Sequence, residues 1–215
     1  LHLSLRRQRQ MCIRDRMDYW DSRFGLFLKP FKTVRYLKRL NSKGQAKRNI
    51  LAHYDLGNDL YEAFLDPKMQ YSSALYASKE ISLEEAQVNK LTRICEQLDL
   101  KETDHLLEVG SGWGGLAIFA AKNYGCRVTT TTISDEQFAY AKNRIDSEGL
   151  SEQINLLSKD YRSLEGTYEK VVSVEMIEAV GRKYLSGYFT KLNDLLKPSG
   201  LLMLQAITIA DQRYK

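Results

Sequence analysis

The sequence predicts an α/β fold: a mostly parallel sheet flanked by helices, with a helical extension on its N-terminal side. Three observations carry this. Strand-like and helix-like segments alternate from residue 82 onward, a glycine-rich turn joins the first strand to the next helix, and 43% apolar against 27% charged residues suits a folded domain rather than a disordered chain.

The elements follow in order. Ser82-Leu83-Glu84-Glu85 reads as a capping box, S-x-x-E, opening a helix whose Leu91, Ile94, Cys95 and Leu98 recur at helical spacing. Strands are expected at 105–109, 127–131, 154–157, 170–174 and 201–207, and helices near 115–124, 135–147 and 183–196. Lys197-Pro198-Ser199-Gly200 reads as the stop that closes the last helix. Upstream, 53–76 is rich in aromatics and turn formers and reads as a helix followed by an irregular loop. Between Asp18 and Arg48 the aromatics Tyr19, Trp20, Phe24, Phe27 and Phe31 lie among Lys and Arg, suggesting short basic amphipathic helices. Such helices suit either a phospholipid surface or packing on the main domain. Residues 1–16 lack periodicity and resemble translated sequencing-adapter read-through, so they are set apart from the fold.

Charge is unevenly spread. Residues 1–49 hold fourteen Lys/Arg against three Asp/Glu, and the remainder holds eighteen against twenty-four. A basic arm on an acidic body points to a polyanionic partner or to a solvated terminus. No nucleic-acid motif or stacking pattern accompanies the charge, so nucleic acid is not expected. Cys12, Cys95 and Cys126 have neither metal-ligand spacing nor an even disulfide set, which predicts a cytoplasmic location and no metal site. No apolar run approaches the roughly 18 residues needed to span a bilayer, so membrane contact is expected to be peripheral.

Directly after the first strand stands Glu108-Val109-Gly110-Ser111-Gly112-Trp113-Gly114-Gly115. Gly110, Gly112 and Gly115 match G-x-G-x-x-G, so a dinucleotide site is one reading. Such a site also wants an acid about 20 residues further on to hold the ribose. That stretch is Thr129-Thr130-Thr131-Thr132-Ile133-Ser134. The acid instead precedes the loop, at Glu108, where a carboxylate can meet the ammonium of an amino-acid-like ligand. S-adenosylmethionine has that ammonium and NAD does not. The E-x-G-x-G-x-G spacing between strand and helix is that of class I methyltransferases, Rossmann-like in fold.

Three further segments, HYDLGNDLYEAFLDPKMQYSSALY (53–76), TTISDEQ (131–137) and VSVEMIEAVG (172–181), stand in the order and spacing of the cyclopropane-fatty-acyl-phospholipid synthases. The chain resembles that family from about Arg48 to Tyr214. The resemblance implies that Tyr71 and Ser72 contact the cofactor from the N-terminal side, that Gly110, Ser111, Gly112, Trp113 and Gly114 surround its methionine portion, and that Thr132, Ile133, Ser134 and Gln137 hold the ribose. Ser134 also reads as a helix cap, since S-x-x-Q is a capping box. Asp160 and Tyr161 are implied to bracket the adenine.

For chemistry, the resemblance implies attack by a cis alkene of a phospholipid acyl chain on a sulfonium methyl, followed by proton loss and ring closure. It implies a bound bicarbonate as base, anchored by Ser73, Glu178, Gln205 and Ile207. Two departures stand out: Ser73 replaces a frequent cysteine, and Gln205 a frequent histidine. Ala179 likewise stands where many members have histidine, which leaves open a methyl-branched or methylene product. Glu175 and Glu178, three apart, would share a face on a helical turn; Glu178 is taken as functional and Glu175 as structural. Tyr54 is expected to face the transient cation, with His53 and Asp55 shaping the acyl pocket. The expected division is 1–16 non-native, 17–80 a basic extension and acyl-site lid, and 81–215 a methyltransferase core cut before its last strands. The expected partners are unsaturated acyl chains at the inner face of the membrane, with a homodimer left open. A non-catalytic lipid- or nucleic-acid-binding relic is the rival reading.

Overall fold

The computed structural model describes residues 57–208. The adapter-like segment, the basic aromatic helices, and His53, Tyr54 and Asp55 lie outside the described residues.

Helix α1 (Asn58–Glu62) is followed by an irregular stretch, then by α2 (Leu83–Gln97). The capping box forms as expected. Ser82 Oγ accepts from the Glu85 N–H at 3.2 Å, and Glu85 Oε2 accepts from the Ser82 N–H at 2.8 Å. Alternation then runs through β1 (His105–Val109), α3 (Gly115–Tyr124), β2 (Arg127–Thr132), α4 (Asp135–Ser147), β3 (Ile154–Ser158), β4 (Tyr168–Val174), α5 (Leu185–Leu195) and β5 (Leu196–Gln205). Gly125, at φ 72°, ends α3 in the left-handed conformation that glycine adopts without steric cost. Ser134 Oγ caps α4 by accepting from the Gln137 N–H. The Gln137 side chain does not complete a box, because its Oε1 accepts from Thr132 Oγ1 at 3.0 Å.

All five strands are parallel, in the order β3-β2-β1-β4-β5. Successive residues of β1 serve opposite faces. Leu106 joins the core formed with α2 and α3, including Leu91, Ile94 and Leu116. Leu107 and Val109 join the core built on Tyr188, Leu192 and Leu195 of α5. Burying each such leucine fully contributes about 1.5–3 kcal/mol, so β1 is fixed from both sides. Sheet growth runs from β1 through β2 to β3 on one side and through β4 to β5 on the other. That reversal opens a crevice at the strands' carboxyl ends, where open α/β sheets take their ligands.

Two expectations are corrected. The last strand begins at Leu196, inside the expected helix, and ends at Gln205 rather than 207. Lys197-Pro198-Ser199-Gly200 is not a helix stop but an irregularity within β5. Tyr168 pairs with Leu196 and Lys170 with Leu201, so several residues of β5 bulge out opposite one of β4. Proline, lacking an N–H, is tolerated at such a bulge, and a Cβ on Gly200 would stand 2.8 Å from the Glu169 carbonyl oxygen. The second correction concerns Glu175 and Glu178. They do not share a helical turn, because Glu175 stands at φ 47° between β4 and the short 3-10 turn Ile177–Ala179.

Candidate active site

A cavity of about 450 Å³ lies at the carboxyl ends of β1, β2, β4 and β5. The glycine turn forms its floor. Gly110, Gly112 and Gly114 have φ of 100°, 50° and 85°, conformations open to glycine and strained for residues with a Cβ. The Gly110 and Ser111 N–H groups donate to the Thr131 carbonyl, tying the turn to the tip of β2. Gly114 caps α3 and faces α4, where a Cβ would meet Ala141 Cβ at 3.2 Å; it does not line the cavity. Gly115 is required for a different reason. A Cβ there would stand 2.4 Å from the Lys68 carbonyl oxygen, so its absence lets the 66–73 segment close over the turn.

Glu108 lines the cavity from β1 and is buried. Its Oε2 accepts from Thr130 Oγ1 at 2.6 Å. Burial pushes the Glu108 carboxyl up to about 8, against the pull of the Thr130 hydroxyl and the Lys90 charge. A buried acid held this way is suited to meet a cation.

Most of the expected cofactor residues come together. Tyr71, Ser72, Glu108, Gly110, Ser111, Gly112, Trp113, Thr132, Ile133, Gln137, Asp160 and Tyr161 all line this cavity. Ser134 is buried behind it as the α4 cap. Trp113 is fixed by an indole N–H donated to Asn58 Oδ1 at 2.7 Å and by the Tyr61 ring at 4.7 Å. Asp160 accepts from Arg162 Nε at 2.7 Å and from its terminal nitrogen at 2.6 Å. Tyr161 lies edge-on to Tyr188.

The second expected group also converges. Glu178 and Ile207 line the cavity, and the Ile207 N–H donates to Glu178 Oε1 at 2.5 Å. Ser73 and Gln205 adjoin it, the Gln205 amide donating to the Ser73 carbonyl at 3.3 Å. Glu175, taken from sequence as structural, lines the same cavity and accepts from both neighbours: the Ser73 N–H at 2.9 Å and Gln205 Nε2 at 2.9 Å. Its left-handed backbone costs about 1–2 kcal/mol for a residue with a Cβ.

Sequence reasoning missed Gln87 and Lys90. Both are buried on α2, three residues apart. Gln87 Nε2 donates to the carbonyls of Gln70 and Ser72 at 3.2 and 3.0 Å, and Lys90 Nζ donates to Gln70 Oε1 and Ser72 Oγ at 2.9 and 2.7 Å. Together they strap the segment bearing Tyr71, Ser72 and Ser73 to the domain. Burial pulls the Lys90 ammonium down to about 8, opposed by the charges of Glu175, Asp66 and Glu108. The available signal was two polar residues at helix positions that also carry Ala86, Leu91 and Ile94 inward. Among the described residues no cluster of His, Cys, Asp and Glu could hold a metal.

Residues 41–215 match the mycolic acid cyclopropane synthetase family. The chain belongs to that family. Within the family's reach, it is 44% identical over 171 residues to the cyclopropane-fatty-acyl-phospholipid synthase of Escherichia coli K12, covering 80% of this chain and 44% of that protein. It is 40% identical over 180 residues to the tuberculostearic acid methyltransferase of Mycobacterium tuberculosis, covering 80% of this chain and 42% of that one. Among solved structures, mycolic acid cyclopropane synthase CmaA1 complexed with SAH and CTAB superposes with a TM-score of 0.71 at 28% identity, over 74% of this chain and 55% of that one. The chain thus spans less than half the length of these two relatives.

Proposed function

We propose that this chain is the cofactor-binding core of an S-adenosylmethionine-dependent methyltransferase that acts on the cis double bond of unsaturated phospholipid acyl chains and forms a cyclopropane ring. One observation carries the reading: the Glu108-led glycine turn shares a single cavity with the Glu178 carboxylate and the apolar Met176 and Ile207. A charged cofactor end and an end carrying apolar side chains and a carboxylate therefore share one cavity. Family membership and the relatives' names support the same class of chemistry.

S-adenosylmethionine, when bound, supplies an electrophilic methyl group on a sulfonium. The chain's own residues do the rest. Glu108 takes the cofactor's ammonium in place of its own proton. Gln137, whose Oε1 is engaged by Thr132, offers its amide hydrogens to the ribose hydroxyls. Asp160, its carboxylate oriented by Arg162, is the acceptor for the adenine amine, with Tyr161 beside the ring. Met176 and Ile207 set apolar side chains beside the carbocation left on the acyl chain after attack.

A methyl-branched or methylene product is a second reading, favoured by the 40% identity to a tuberculostearic acid methyltransferase and by Gln205 and Ala179 standing where the resembled synthases often have histidine. The two differ only in the fate of the cation. The protein is placed by this reading in the cytoplasm, at the inner face of the membrane, where such chains are found. Unsaturated phospholipid vesicles supplied with S-adenosylmethionine should gain the mass of one CH₂ unit per modified chain, and product NMR should show cyclopropane protons. Exocyclic methylene signals instead would favour the second reading. No cofactor-dependent mass change would remove both.

A further inference from the structure

The anion seat implied by Ser73, Glu178, Gln205 and Ile207 is filled by the chain itself. Glu175 Oε1 accepts both the Ser73 N–H and the Gln205 amide, each at 2.9 Å. The Glu175 N–H donates to the Gln205 carbonyl at 2.8 Å, so backbone and side chain both hold this residue against β5. A third donor of the group, the Ile207 N–H, goes to Glu178. A bicarbonate among these groups would have to displace a carboxylate and then sit against two like charges. It does not fit this site.

Glu175 is held at φ 47° in a conformation that favours glycine, and it lines the cavity beside Met176 and Glu178. Backbone strain of this kind persists where surrounding structure enforces it, most often at functional sites. Burial draws the Lys90 ammonium on α2 down, and the Glu175 charge is among those that oppose this.

We infer that the Glu175 carboxylate is the base of this reaction, built into the chain in place of a bound bicarbonate; the inference rests on the function proposed above. The alkene's π electrons form a bond to the methyl carbon as the S–C bond breaks, leaving S-adenosylhomocysteine and a carbocation. A Glu175 oxygen takes a proton from the transferred methyl, and the freed C–H electron pair closes the ring. The proton then passes from the carboxylic acid to water.

Two substitutions separate this from a structural role. Glu175→Gln keeps an oxygen that can accept from Ser73 and Gln205 but is not basic. Glu175→Gly empties the seat and suits the left-handed backbone. S-adenosylhomocysteine binding serves as the control for folding and for the cofactor assignment. With that binding retained, wild-type turnover should be unchanged in bicarbonate-free buffer, Glu175→Gln should lose roughly 100-fold or more in kcat, and added bicarbonate should restore part of the activity of Glu175→Gly. In ¹³C NMR titrations, labelled bicarbonate should bind Glu175→Gly and not the wild type. Wild-type turnover that collapses without bicarbonate, wild-type turnover retained by Glu175→Gln, or bicarbonate bound as tightly by wild type as by Glu175→Gly would overturn the inference. Loss of S-adenosylhomocysteine binding by the wild type would instead remove the proposed function beneath it.

Discussion

Glu108 sets a testable link between protonation and ligand binding. Its carboxyl lies near 8 in the folded chain against an ordinary value of 4.5, chiefly because it is buried. A folded-state value raised in an acid means that the fold holds a proton the unfolded chain has released, so this residue's contribution to stability falls as pH rises from about 4.5 to 8. A cofactor ammonium reverses the preference and expels the proton. S-adenosylhomocysteine affinity should therefore rise with pH across this window, and calorimetry in buffers of different ionisation enthalpy should record proton release on binding. Proton uptake, or affinity flat across the window, would contradict the assignment of Glu108 to the ammonium. The sequence exposed Glu108 because an acid two residues before the first glycine of the turn is a local pattern. It concealed Glu175 and Lys90, whose roles come from contacts with Ser73, Gln205 and Ser72 that no local spacing encodes.

Among the elements, the glycine turn and the 66–73 segment depend on one another. Gly115 begins α3 where the Lys68 carbonyl and the Gln70 amide approach within 2.4 and 2.3 Å of the site of a Cβ. Gly115→Ala should destabilise the chain by about 1–3 kcal/mol through overpacking, measured by urea denaturation, and should weaken S-adenosylhomocysteine binding by displacing Tyr71 and Ser72. Unchanged stability would mean that the segment shifts freely. The same turn was legible because its glycines, the Ser82 cap and the period of α2 are local signals. The start of β5 was not, since Pro198 and Gly200 carry the same punctuation in a bulge as at a helix stop. Which bulge they make depends on pairing with β4, a strand distant in sequence.

For the whole molecule, strand order brings the cavity-lining segments from Glu108 to Ile207 to one sheet edge, where the 69–72 stretch, strapped by Gln87 and Lys90, joins them. Parallel alternation in the sequence predicted this edge, and the family match over 41–215 agrees with it. Residues 1–49 carry a basic excess. If it brings the protein to anionic lipid, cosedimentation with phosphatidylglycerol vesicles should exceed that with phosphatidylcholine vesicles and weaken as salt rises and screening shortens. Equal binding to both would assign that charge to another role. On the function proposed above, the carboxylate-led glycine turn at this edge forms a pocket for a sulfonium nucleoside. Calorimetric titration of the chain with S-adenosylhomocysteine and, separately, with NAD tests it most directly. Saturable one-to-one binding of S-adenosylhomocysteine with no binding of NAD is the predicted result; NAD binding without S-adenosylhomocysteine binding would contradict it.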